Sequence, residues 1–208
     1  MNSVNRHEGL NSLTHGVAAV ISLVGLVLLV VFAALYGTVW HVVSFSIYGT
    51  TMVLLFTAST CYHAVRNPEI KKTLRIVDHS AIFLLIAGTY TPITLTALRG
   101  PLGWSLFGCV WGIAAVGIAL KVFFTGRFRV LSTLLYLLMG WLVVFAARPI
   151  YMHIPRAGLY WLLAGGLAYT GGVVFYMGKS IPCNHAIWHL FVFAGSLCHY
   201  VAIFFYML

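Results

Sequence analysis

Seven stretches of this 208-residue chain run for about 20 residues or more with almost no charge, each long enough to cross a hydrocarbon core about 30 Å thick. They cover residues 14–37, 41–65, 78–98, 101–121, 129–148, 156–178 and 184–208. The runs are continuous rather than alternating over about 10 residues, so they read as helices and not as barrel strands. Only 7% of the residues are charged, against about 25% in a soluble domain. The expectation is an all-α integral membrane protein, a single seven-helix bundle over residues 1–208 with no separate soluble module.

The first run is longer than a signal-peptide apolar region, has no obvious small-x-small cleavage site with a hydrophilic mature start and leads into another span, so it is read as the first helix. Pro68, Pro101, Pro155 and Pro182 fall at connections, Pro149 closes the fifth run, and Pro92 inside the third should kink it. Seven spans do not divide into equal halves, which disfavours an inverted-repeat transporter. Gly165, Gly166, Ala168, Gly171 and Gly172 mark close helix packing in the sixth run.

Basic residues set the expected sidedness. Arg6, Arg66, Lys71, Lys72, Arg75, Lys121, Arg127, Arg129 and Lys179 fall on the side of the N-terminus, and Arg99, Arg148 and Arg156 on the other. Nine against three predicts a cytoplasmic N-terminus and an outer C-terminus. The basic residues are spread over short loops with no fold to gather them, so nucleic acid is not an expected partner.

With that topology, several polar residues reach one depth on one side. His185 and His189 open the seventh run four apart; on a helix that spacing turns about 400°, so the two imidazoles lie one above the other like paired metal ligands. His63 ends the second run, Ser59 lies one turn before it, and Asp78 begins the third. Ionisable groups at membrane depth face the bundle interior or a wet cavity. Three neutral imidazoles leave one tetrahedral position of a Zn²⁺ ion for water, whose pKa falls to about 7. Asp78 is then the candidate base or orienter of that water, and Ser59 a hydrogen-bond partner for the water or a substrate carbonyl. Each has a structural alternative: helix-to-helix hydrogen bonds for the histidines, a dipole or Arg75 partner for Asp78, and packing for Ser59.

Glu8, Asn11 and His15 share a face and either support the site from below or cap a helix start. His199 turns to within roughly 40° of His185 but lies some 21 Å deeper, so it lines the cavity or makes a buried hydrogen bond rather than joining the metal. His79 should point about 100° away from Asp78, and His41 and His153 should be interfacial. Cys61, Cys109, Cys183 and Cys198 predict no disulfide, with Cys61 and Cys183 turned away from the ligands. Ser196 and His199 lack an orienting third group, and no lysine lies mid-helix in the seventh run for a retinal-type pigment. No polar stripe runs the full depth of a helix, as a pore would require.

Ser59-x-x-x-His63, Asp78-His79, Ala87-Gly88-Thr89-Tyr90-Thr91-Pro92, and His185-x-x-x-His189 before Phe-Val-x-x-Gly-x-x-x-His199 together resemble the hemolysin III branch of the progestin and adipoQ receptor family. The Glu8, Asn11 and His15 start resembles it as well, so the likeness covers nearly the whole chain. That family belongs with alkaline ceramidases in a group of membrane proteins believed to be metal-dependent hydrolases. The resemblance implies zinc on His63, His185 and His189, Asp78 and Ser59 near its water, and a membrane lipid as substrate or ligand. It further implies a multi-pass protein of a bacterial inner (plasma) membrane. The expected activity is hydrolysis of a lipid amide or ester bond, and the alternative is a non-catalytic sensor or regulator of bilayer state with a structural zinc. The long N-terminal region of the receptors is missing from this chain.

Overall fold

The computed structural model describes residues 3–124, 126–178 and 180–208, with side chains from residue 7 onward. Of the basic residues counted above, Lys179 and the side chain of Arg6 lie outside the described residues. Seven helices are long and apolar enough to cross a membrane, and no strand occurs among the described residues. We number these spans 1 to 7: His7–Tyr36, Val39–Ala64, Pro68–Ala97, Pro101–Phe124, Arg129–His153, Arg156–Met177 and Asn184–Tyr206.

Two spans begin earlier than hydropathy alone indicates. Span 1 is part of a helix starting at Ser3, so Glu8, Asn11 and His15 stand on the helix itself and not ahead of it. Span 3 starts at Pro68 instead of residue 78. There Asn67 caps the backbone amides of Glu69 and Ile70 through its side chain, and Pro68 occupies the first turn, where no amide is needed. The charged segment 69–75 thus forms about two helical turns that carry span 3 beyond its apolar part.

Pro92 does interrupt span 3. The α-helix ends at Pro92 and passes into a π-helical stretch, Ile93–Ala97, because the proline ring supplies no amide to the ladder. Thr89, Thr91, Thr94 and Thr96 each return their hydroxyl to a carbonyl one turn back, which satisfies oxygens in a region without water. Span 5 is also broken, and Pro149 does not close it. Arg129–Trp141 gives way to a 3₁₀ stretch, Leu142–Ala146, then to a short helix, Ala147–His153, that accepts Pro149 in its first turn.

Span 3 is the axis of the bundle: 72% of its apolar window is buried, against 17% in spans 5 and 6. Spans 1 and 2 form a tight hairpin, spans 2 and 3 a second, and spans 6 and 7 a third. Absent side chains permit these approaches. A Cβ on Gly88 of span 3 would collide with Thr51 of span 2, and one on Gly165 of span 6 with His199 of span 7. Gly172 meets Phe191 and Trp188 in the same way, so part of the small-residue stripe in span 6 serves the packing expected of it. Span 5 stands further off from spans 3 and 6, and a cavity lies behind it.

Candidate metal centre

His63 reaches the centre from the last turn of span 2, and His185 and His189 from the first two turns of span 7. One nitrogen from each imidazole falls within a cluster no wider than 4.8 Å. The Nε2 atoms of His63 and His185 are 3.2 Å apart, and His63 and His189 are buried.

What the other ring nitrogens do decides whether this set fits a metal. His63 Nδ1 lies 3.2 Å from Glu8 Oε2, an acceptor that Lys71 Nζ also reaches at 2.6 Å. A carboxylate only accepts, so Nδ1 carries the proton and Nε2 keeps its lone pair. His189 Nδ1 lies 3.1 Å from the carbonyl of Asn11 and 3.1 Å from Thr14 Oγ1. Because that hydroxyl donates to the Asn11 carbonyl, the His189 Nδ1–H is again the donor, and its Nε2 is free for the cluster. His185 Nε2 can donate to the His63 Nε2 lone pair or, as the other tautomer, share a cation with it, and the outer hydrogen bonds from Nδ1 of His63 and His189 to carboxylate and carbonyl are those metal-binding histidines make. The donor set fits a borderline ion such as Zn²⁺. Glu8→Gln should retain the fold and weaken metal binding by about 10- to 100-fold, as measured by competition with a chromogenic chelator.

The first residue of span 1 shown with its side chain is His7, and the polar face that follows it seals the centre. His15 stacks on His189 with ring centroids 3.6 Å apart and an interplanar angle of 12°, and packs edge-on against Phe56. Across the centre, Asp78 and Ser59 are buried side by side and face a cavity that His185 and His189 also line. This cavity, about 120 Å³, leads from the histidines into the bundle as far as His199. Most of its wall is apolar, including Leu55, Ile82, Leu85, Ile86 and Val192.

The model of the family described as "Haemolysin-III related" matches residues 4–200. The chain belongs to this family. Hemolysin-3 of Bacillus cereus is 46% identical over 203 residues, spanning 98% of this chain and 93% of that protein. The Hemolysin-3 homolog of Bacillus subtilis (strain 168) is 46% identical over 201 residues, 97% and 94% of the two chains. The human monocyte to macrophage differentiation factor is 34% identical over 206 residues, 95% of this chain and 83% of that one. These relatives place the chain in the hemolysin III branch of the progestin and adipoQ receptor family, as a multi-pass membrane protein of bacterial type.

In this haemolysin-III related chain the residues singled out from sequence come together, with three adjustments. Asn11 is buried and meets His189 through its main-chain carbonyl. His199 lines the far end of the cavity and also bonds the Leu162 carbonyl at 3.1 Å, so both alternatives hold. His79 does not point away from the site: it lines the cavity, with Nδ1 3.8 Å from Asp78 Oδ2 and 2.7 Å from the Arg75 carbonyl. The cavity spans a wide arc of span 3, so 100° of helix rotation does not take a side chain out of it. Ser196 pairs with Tyr169 Oη at 2.7 Å and not with His199. All four cysteines are free; Cys61 is exposed, and Cys183, at a left-handed backbone position, turns its sulfur to His7 Nδ1 at 3.6 Å. Sequence reasoning missed the wall supplied by spans 5 and 6, above all Tyr136, Trp141, Tyr169 and Tyr176. Aromatic residues in apolar spans carry no signal of which way they face.

Proposed function

We propose that this protein is a zinc-dependent membrane hydrolase that cleaves an amide or ester bond of a lipid near the cytoplasmic face of a bacterial inner membrane. One observation carries the reading: in a cluster of three imidazoles from spans 2 and 7, two rings line a mostly apolar cavity beside the buried Asp78 carboxyl and Ser59 hydroxyl. A structural metal staple has no need of a buried carboxyl beside it, nor of an apolar cavity running up to it. The nine-to-three distribution of Lys and Arg supports placing that end in the cytoplasm.

His63, His185 and His189 would hold the ion, which when bound acts as a Lewis acid and brings the pKa of water in its open position to about 7. Glu8 and the Asn11 carbonyl keep the imidazoles in the tautomer that offers Nε2. Asp78 stands at the cavity wall, where an Oδ atom takes the proton of the attacking water and returns it to the departing amine or alcohol. Ser59 fixes the Asp78 carboxyl from the adjacent helix and can donate to the carbonyl being attacked. The apolar walls receive the acyl chain, exclude bulk water and leave the scissile carbonyl at the polar end.

Purified protein reconstituted with zinc should release free fatty acid from at least one member of a panel of phospholipids, ceramides and other N-acyl and O-acyl lipids. Chelation should abolish the release and added zinc restore it. No release from any member by zinc-loaded protein would leave the non-catalytic sensor with a structural metal as the better reading.

A further inference from the structure

We propose that Arg75, Lys121 and Arg129 form a cradle for the phosphate of a lipid headgroup beside the histidine end of the cavity. The inference deepens the hydrolase reading by naming the headgroup of its substrate, although binding at the cradle does not require hydrolysis.

The three cations come from separate spans, with Lys121 buried, Arg129 half-buried and Arg75 exposed at the rim. Arg129, at the start of span 5, lays its guanidinium over the Tyr176 ring at 4.5 Å and donates to the Tyr176 carbonyl, while its Nε is buried without a hydrogen-bond partner among the described residues. Lys121, in the last turn of span 4, is 6% exposed; its Nζ donates to Ser132 Oγ at 2.6 Å and lies 5.8 Å from the Tyr136 ring centroid. Arg75 of span 3 brings its guanidinium over Gly126 in the 4–5 connection, whose positive φ of 88° and missing side chain keep that approach open. Arg75 is an electrostatic neighbour of Lys121, and both arginines are neighbours of Tyr176. Tyr136 and Tyr176 are themselves part of the cavity wall, together with Asp78 and His185. The cluster therefore backs directly onto the proposed reaction centre.

Charge accounting points to an anion from outside the protein. The chain has three carboxylates. Glu8 is engaged by Lys71 and His63, Glu69 sits in the first turn of span 3, and Asp78 faces Ser59 inside the cavity. No salt bridge among the described residues includes Arg75 or Arg129. Basic residues that serve only as a topology signal extend into water, as Arg66, Lys72 and Arg127 do, all exposed. Lys121 and Arg129 are held back instead, at the depth of headgroups, where basic pockets between helices bind lipid phosphates. Two guanidinium forks and an ammonium match the several oxygens of a phosphate better than the single neutral hydroxyl of a diacylglycerol or ceramide.

The test uses the full chain in detergent micelles, with soluble dihexanoyl phosphatidylglycerol as probe and dihexanoylglycerol and inorganic phosphate as comparators, read by thermal shift. The phospholipid should stabilise the parent saturably, and the Arg75→Gln/Arg129→Gln variant should bind it at least tenfold more weakly. Equal stabilisation by dihexanoylglycerol, or undiminished affinity in the variant, overturns the proposal. Inorganic phosphate binding as tightly as the phospholipid overturns a lipid as the source of the anion. Should the double variant fail to fold, Arg75→Gln alone, at an exposed position, should weaken binding and Arg75→Lys recover part of it. Parent protein stripped of metal should keep its phospholipid affinity, so loss of the hydrolase reading and loss of the cradle are separately visible.

Discussion

Replacing His185 and His189 together with alanine will yield a folded membrane protein without bound metal. Parent protein should carry about one zinc per chain after purification, and the double variant less than about a tenth of that, since a site needs at least three protein ligands to hold zinc firmly. Elemental analysis of both proteins, with monodisperse elution and unchanged helicity as the test of folding, gives the answer directly. The two substitutions remove ring volume next to an existing cavity, so they cost packing but force nothing to overlap. If the double variant does not fold, His185→Ala alone, at the less buried of the two positions, should still lose most of its metal. Equal zinc in parent and variant would place the ion elsewhere, and its absence from both would return the three histidines to helix packing.

The second large effect should come from Asp78→Asn. The amide has the shape of the carboxyl and can still face Ser59, but it accepts no proton. Turnover of whichever lipid the panel identifies should fall by about 10²- to 10⁴-fold, the usual contribution of a positioned general base. Metal content should be unchanged, because Asp78 is outside the cluster of three ligand atoms. Loss of activity together with metal would make Asp78 a support of the ligands, and full activity would exclude it from the chemistry.

The seven spans were legible because water and hydrocarbon differ so strongly as solvents that about 20 uncharged residues have few other places to go. Hydropathy missed the starts of spans 1 and 3 for the same reason, since a helix continues into the interface and residues 69–75 are charged yet helical. Asn67-Pro68 was the available signal there, a cap followed by a first-turn proline. The histidine cluster was legible because His185 and His189 are one turn apart and share a depth with His63 once the spans are threaded alternately. The reverse wall was not. Tyr136 and Tyr176 meet the cavity through the way spans 5 and 6 stand off from span 3, a long-range packing outcome that no local spacing encodes. The use of the Asn11 carbonyl rather than its side chain was equally hidden, because a main-chain acceptor looks the same at every position.

The centre draws on residues 8–15, 59–78 and 185–189, segments made early and late in the order of synthesis. A ribosome feeding spans 1 to 6 into the membrane therefore releases a chain with one ligand and its carboxylate partner in place, but no site. Only the arrival of span 7 brings the remaining two imidazoles. A chain synthesised only as far as span 6 holds one of the three imidazoles that could hold a metal ion. A metal ion held by all three imidazoles would tie span 7 to span 2, across four intervening spans of the chain.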